Sequence, residues 1–299
     1  RCGNRLPPPG FWRQMAGSGL SDQQHRSGAP APEPAGSATL PALACVVAVP
    51  ARLESSRLPN KVMADIGGQP MLQRVLLRCR QARRPAAVVL CTDSEVLRAA
   101  AEGWGFPVLM TSTGCGSGSE RLASVVEALT ARAGAAGAAA ARSVIINVQG
   151  DQPFIDPAVI DAMALEFERR TPTPEVLTPI YRMPPEKIHD PNVVKTLLAA
   201  DGRALYFSRS AIPHVRGEDP QQWHAHAPYW GHVGIYGYRA DVLARWDALP
   251  HSPLEHSEKL EQLRLIEAGI TVGTFPVEGD FLSVDTAAQL EQARRLAAA

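Results

Sequence analysis

Between residues 45 and 167 short apolar runs alternate with segments of helical period, and that alternation limits the chain to one class of fold. Residues 45–49 are apolar and β-branched, the pattern of a strand buried on both faces. Pro50 follows, and its missing N–H is expected to end that strand. Gly67-Gly68 then turn the chain and Pro70 sits near a helix start. Leu72, Val75, Leu76 and Cys79 share one face of that helix at i, i+3, i+4, i+7 spacing. Residues 87–91 form the next apolar run, after which Ser94 is placed to cap a helix reaching Gly103. A third run covers 107–111. Ser119 is the expected cap of a helix bearing Leu122, Val125, Val126 and Leu129 on one face. After an Ala/Gly-rich joint, 143–148 is another buried run. Asp156-Pro157 then opens a helix with Ile160, Met163, Ala164 and Phe167 toward the core. Repeated strand–helix–strand units need right-handed crossovers, so the expected fold is α/β with a central, mostly parallel sheet.

From Thr173 the period changes. Strand-like runs at 175–181, 193–198 and 204–207 are separated by turns at Pro184-Pro185 and Asp201-Gly202. Hairpin spacing of this kind suggests antiparallel additions to the sheet, or a small lobe at about 175–240. Residues 214–230, with His, Gln, Trp and Pro, read as a flexible flap, and 232–238 alternates as one strand. Ser252-Pro253 opens a helix expected over 254–268, closed by Gly269, with Leu260, Leu263 and Ile266 as its buried stripe. A strand at 270–277 and a last helix containing Leu290 complete the series.

The loop after the first strand carries the densest chemistry. Arg52, Arg57 and Lys61 arrive together, with Ser55 and Ser56 between them. Ligands of open α/β sheets bind at the carboxyl ends of strands. An Arg fork matches two phosphate oxygens, and a Lys adds a mobile point charge. The loop reads as a triphosphate cradle. A solvated basic turn is the plain alternative, but an exposed ion pair stabilises a fold by only about 0–1 kcal/mol, so folding does not call for three cations here. The loop is neither a P-loop nor a dinucleotide fingerprint, because it lacks the glycine spacing of both. Residues 111–121, Thr-Ser-Thr-Gly-Cys-Gly-Ser-Gly-Ser-Glu-Arg, either let the backbone approach a ligand or form a linker with a helix cap. Asp151, in Gln-Gly-Asp-Gln-Pro at a central strand's end, is placed to hold a hard cation such as Mg²⁺, or serves as a turn residue. His232 beside its strand is structural or exposed, Glu261-Gln262 read as a solvated helix face, and Asp285 as a helix N-cap. No zinc pattern or nucleophile set supports covalent chemistry.

With 30 basic and 30 acidic side chains, the chain has no long-range pull toward nucleic acid or anionic membrane. No stretch is apolar for long enough to span a bilayer. Five cysteines without paired or metal-type spacing imply reduced thiols and a cytoplasmic location, with Cys45, Cys79 and Cys91 as core fillers. Residues 1–42 are rich in Pro, Gly, Ser and Ala and poor in large apolar groups, so they are expected to be a disordered extension. An organelle transit peptide is the other use of such a composition; the chain opens on Arg, and Met15 offers an alternative start.

Val-Pro-Ala-Arg at 49–52, Ser-Ser-Arg-Leu-Pro at 55–59 and Lys61 resemble the signature loop of the sugar-acid cytidylyltransferases. Ser-Gly-Ser-Glu-Arg at 117–121 is similar to that family's Ser-Gly-Thr-Glu-Arg, and Gln-Gly-Asp-Gln-Pro to its Gln-Gly-Asp-Glu-Pro, with Gln152 departing. Tyr-Phe-Ser-Arg at 206–209, His-Val-Gly-Ile-Tyr-Gly-Tyr at 232–238, Glu-Gln-Leu-Arg at 261–264 and Val-Asp-Thr at 284–286 narrow the resemblance to the 3-deoxy-manno-octulosonate (Kdo) cytidylyltransferases, over about 44–296. The resemblance implies a three-layer nucleotidyltransferase fold in one domain, 43–299, and a homodimer. It implies CMP transfer from CTP to Kdo, with Mg²⁺ as cofactor. Ala51, Arg52, Ser55, Ser56, Arg57 and Lys61 would surround the triphosphate, with Arg57 and Lys61 stabilising the departing pyrophosphate. Ser117, Gly118, Arg121 and Gln149 would contact cytidine, and Asp151 and Asp285 would bind the metal. Arg209, His232, Tyr236, Glu261 and Gln262 would orient the sugar acid, Arg209 and His232 as charge-assisted donors to its carboxylate. Transfer to another acid such as sialic acid or amino-Kdo, transfer to a neutral sugar phosphate, and a non-catalytic nucleotide-binding module are the competing readings.

Overall fold

The computed structural model describes residues 43–54, 58–279 and 281–298. The extension 1–42 and the loop residues Ser55, Ser56 and Arg57 lie outside the described residues. The strands are β1 (Cys45–Ala51), β2 (Asp65–Ile66), β3 (Gln69–Pro70), β4 (Val88–Thr92), β5 (Val108–Met110) and β6 (Val144–Asn147). After them come β7 (Val176–Arg182), β8 (Lys195–Leu198), β9 (Ala204–Ser208), β10 (Trp230–His232), β11 (Tyr236–Arg239) and β12 (Val272–Pro276). β2 and β3 form a small hairpin around Gly67 and Gly68, both with left-handed φ. The rest make one sheet in the order β5-β4-β1-β6-β11-β7-β10-β8-β9, with β12 beside β7.

β5, β4, β1 and β6 run parallel, as the crossover pattern requires. The period-two geometry of β1 sends Cys45, Val47 and Val49 into one core and Val46 and Ala48 into the other. Leu72, Val75 and Leu76 of helix Met71–Cys79, with Ile160, Met163 and Phe167 of helix Pro157–Arg169, fill the first core. Leu122, Leu129 and Leu263 fill the second, which makes the three layers. Cys45, Cys79 and Cys91 are buried, and burial pushes each thiol up to about 12, so they are inert packing groups. Among the described residues no helix is long and apolar enough to cross a membrane.

β1 does not stop at Pro50. It continues to Ala51, with Pro50 opposite Cys91 and Ala51 opposite Thr92. On the other side its register with β6 ends at Ala48 opposite Asn147, so the missing proline N–H leaves no ladder bond broken there. The antiparallel region continues the same sheet: β11 pairs with β6 and β7, β10 with β7 and β8, and β8 with β9. The expected single strand at 232–238 is two strands, broken at Gly234, where φ is 84°. The expected flap is a packed segment. Trp223 and Tyr229 are buried with Met183 and Ile188, and Trp223 Nε1 donates to Glu218 O at 3.1 Å. Two buried aromatic side chains outweigh the polar, proline-rich composition around them.

The helix expected over 254–268 is two helices, Pro253–Glu258 and Leu263–Glu267, interrupted at Lys259 with φ 54°. Leu260, Leu263 and Leu265 are buried, and Ile266 only partly. The helix that follows the glycine-rich loop, Gly118–Ala123, is capped by Ser117, whose hydroxyl accepts from Glu120 N, and not by Ser119.

Gly237 in β11 shows how tightly the first core is filled. A Cβ built there meets Phe167 Cε2 at 2.4 Å and Met163 Sδ at 2.8 Å. Gly237→Ala should therefore destabilise the fold by about 1–3 kcal/mol. A lower urea midpoint at unchanged slope is the expected signature.

Candidate functional site

Three distant segments meet at the carboxyl end of β1 and β6. Lys61 opens the short 3-10 helix Lys61–Met63, directly after Asn60 in left-handed conformation. Its Nζ donates to Asp151 Oδ2 at 2.7 Å and to Asp285 Oδ1 at 2.9 Å. Asp151 leaves β6 through Gln149-Gly150, and Gly150 is close to β1: a Cβ there would lie 3.3 Å from Pro50 O. Val284 N donates to Asp151 O at 2.9 Å and so joins the second carboxylate's segment to the first.

Asp285 does not cap the last helix, Ala287–Ala298. Thr286 does: its Oγ1 accepts from Gln289 N, while Gln289 Oε1 accepts from the N–H groups of Asp285 and Thr286. This reciprocal capping box leaves the Asp285 carboxylate to face Lys61. Burial acts against the Lys61 ammonium, but the Asp151 and Asp285 carboxylates outweigh it and hold its pKa above the ordinary lysine value.

A cleft of about 250 Å³ opens over this triad. Of the residues expected around the nucleotide, Ala51, Arg52, Lys61, Ser117, Gly118, Arg121, Gln149 and Asp151 all line it. Arg121 braces its wall: the guanidinium is buried, donates to Asp93 Oδ2 at 2.9 Å and also bonds Thr111 Oγ1.

A second cavity of about 580 Å³ shares Gly116, Ser117, Gly118 and Gln149 with the first. His232, Tyr236, Glu261 and Gln262 line it. The helix break at Lys259 turns Glu261 and Gln262 inward, so they are not the solvated face their local sequence suggests. Glu261 accepts from Ser119 N at 3.2 Å, and burial raises its pKa. Gln262 is 1% exposed and its Oε1 accepts from Tyr236 OH at 2.9 Å. Its Nε2 has no acceptor among the described residues. An unsatisfied buried N–H costs about 1–3 kcal/mol, and a ligand oxygen would relieve it.

Two expected sugar-site residues behave differently. His232 lines the cavity, but burial pushes its pKa down to about 3. Burial thus favours its neutral form, and its Nε2 lies 3.0 Å from Thr178 Oγ1. Arg209 lines neither cavity. Its Nε donates to Glu258 O at 2.8 Å and its Nη1 to Pro191 O at 3.2 Å.

Sequence reasoning missed Asn147 and the inner role of Ser119. Asn147 Oδ1 accepts from Gln149 Nε2 at 3.1 Å, which holds that amide where the two cavities join. Ser119 Oγ bonds Tyr238 OH at 2.8 Å. The available signal was one polar residue, Asn147, inside the apolar run at 144–148. Gln152 donates to Val233 O at 2.8 Å, which ties the Asp151 turn to the break between β10 and β11. The acidic residue of the family motif, when ionised, has no N–H for that bond.

A family model described as cytidylyltransferase matches residues 46–272. The chain is 39% identical over 254 residues to the 3-deoxy-manno-octulosonate cytidylyltransferase of Chlorobaculum tepidum, covering 84% of this chain and 96% of that protein. It is 41% identical over 255 residues to the protein of the same name from Methylococcus capsulatus, covering 83% and 95%. Among solved structures, CMP:2-keto-3-deoxy-manno-octonic acid synthetase complexed with CTP superposes with a TM-score of 0.74 at 38% identity, over 85% of this chain and 98% of that one. Likeness of this extent means that the chain belongs to the cytidylyltransferase family, among the 3-deoxy-manno-octulosonate cytidylyltransferases.

Proposed function

We propose that the protein transfers CMP from CTP to the anomeric hydroxyl of Kdo and releases pyrophosphate. The observation that carries this reading is the convergence of Lys61, Asp151 and Asp285 in a cleft continuous with a second cavity. One cleft suits a triphosphate and the other a polar sugar. The relatives' names and the CTP complex of the solved relative support the choice of both substrates.

In this reaction the anomeric oxygen forms a bond to the α-phosphorus while the bond from that phosphorus to the bridging oxygen breaks. The electron pair leaves with pyrophosphate, and the hydroxyl proton passes to solvent. Little covalent work falls to the protein, so positioning and charge neutralisation carry the rate. Arg52, Arg57 and Lys61 would hold the triphosphate and offset the charge that grows on the leaving group. Gln149 and the 116–118 backbone would hold the base. Tyr236, Gln262, Glu261 and His232 would orient the sugar.

Asp151 and Asp285 both reach one ammonium, so one small cation could engage both carboxylates. Among the described residues no group of three or more His, Cys, Asp or Glu side chains forms a closed metal cage. Two carboxylates that leave room for substrate oxygens and water fit Mg²⁺. When bound there, the ion would neutralise phosphate charge and ease loss of the attacking hydroxyl's proton. The same reading makes the protein a cytoplasmic homodimer whose product serves lipopolysaccharide synthesis.

Mixing CTP, Mg²⁺ and Kdo with the protein should release pyrophosphate. Replacing Kdo by sialic acid, or CTP by another nucleoside triphosphate, should release far less. Absence of release with CTP and Kdo, or a clear preference for another acid, would overturn the assignment.

A further inference from the structure

A sugar acid brings a carboxylate, and the second cavity needs a cation to meet it. The two groups that the sequence suggested are poorly placed to supply one: Arg209 is engaged with main-chain oxygens outside the cavity, and His232 has its Nε2 3.0 Å from Thr178 Oγ1, with burial disfavouring its charged form. Arg264 lines the wall, but Glu255 already pairs with it, at 2.7 Å and 3.2 Å. His251 and His256 are there too, but a lysine ammonium is the stronger point charge to set against a carboxylate. Lys259 remains. It lines the cavity, it is exposed, and among the described residues no carboxylate pairs with it.

The backbone at Lys259 carries a second, independent sign. Its φ of 54° and ψ of 46° are left-handed, a conformation that side-chain-bearing residues adopt rarely. Such residues persist where the surroundings over-determine them, and they cluster at ligand sites. Here the surroundings are explicit. Ser208 Oγ donates to Glu258 Oε1 at 2.7 Å, Arg209 N donates to Glu258 Oε2 at 3.0 Å, and Arg209 Nε holds Glu258 O at 2.8 Å. The end of β9 thus clamps the residue before Lys259 through both its side chain and its main chain. A glycine would hold this turn with less strain, yet the position carries an ammonium.

We propose that Lys259 is the cation that meets the carboxylate of the sugar-acid substrate. This inference rests on the reading that the second cavity takes Kdo.

Lys259→Gly is the informative variant, because glycine is at ease at positive φ and the fold should keep or raise its melting temperature. We expect its KM for Kdo to rise about tenfold, with the KM for CTP within twofold of wild type, since one partly solvated charge-assisted contact is lost. Lys259→Arg should restore a near-normal KM. In competition assays the wild type should prefer Kdo over its carboxamide, and Lys259→Gly should bind the two alike. Added salt should weaken Kdo binding in the wild type more than in the glycine variant. Wild-type turnover together with a KM for Kdo within twofold in Lys259→Gly would overturn the Lys259 assignment alone. A wild-type protein that releases no pyrophosphate from CTP and Kdo would overturn the underlying reading and this one with it.

Discussion

Lys61→Ala should lower kcat/KM for CTP by on the order of 10²-fold or more, because removing one donor to a developing negative charge costs about 3–4 kcal/mol in the transition state. The fold should survive. Lys61 belongs to a three-residue helix with one buried residue, Val62, and its own side chain is 13% exposed beside carboxylates that are 22% and 30% exposed. The triad is partly rather than fully buried, so the two carboxylates left behind remain open to solvation and the loss of stability is smaller than for a fully buried pair. The sign of their pH dependence is fixed. The folded-state pKa of Lys61 is raised, so its contribution is fully present below the ordinary lysine value of 10.5 and is lost only as pH rises through the higher folded value. At neutral pH the variant therefore shows the whole of this loss. Pyrophosphate release and the melting curve, measured on one preparation, separate the two effects. Near-normal turnover in Lys61→Ala would leave the ammonium as a structural bridge and remove it from the chemistry.

How much of this site was visible beforehand depends on what holds each residue. The parallel half of the sheet was legible because β1, β4 and β6 are apolar runs separated by helices of clear period, and burial on both faces leaves few other solutions. Lys61 stood out because it shares a loop with two other cations that folding does not call for, whereas Asp151 also suited a turn and Asp285 a helix N-cap, so the residues alone left those two open and the family resemblance paired them. The helix break at Lys259 was not. No glycine or proline marks it, the leucine stripe runs through it, and the clamp comes from residues 208 and 209, about fifty positions upstream. Ser117 and Ser119 are equal candidates for a cap in Ser-Gly-Ser. Tertiary structure decides between them, because Ser119 is taken by Tyr238. The charge state of His232 depends on how deeply the sheet buries it, and no local pattern encodes that depth.

Asp285→Asn should likewise cost on the order of 10²-fold in kcat/KM and shift the Mg²⁺ requirement to higher concentration. An amide keeps the shape and can still accept from Lys61, but it lacks the charge that a hard cation prefers. Stability should hardly change, because the last helix is capped by Thr286 and Gln289. The neighbouring variant Thr286→Ala supplies the opposite phenotype. It removes the cap hydroxyl and should cost about 1 kcal/mol of stability, with turnover largely kept. The helix buries only Leu290 and Ala293, so its docking depends on that cap more than a longer apolar face would require. The pair of variants therefore separates two roles that adjacent residues could share. Asp285→Asn with a lowered melting temperature and intact turnover would return Asp285 to a structural role and take it out of the proposed metal site.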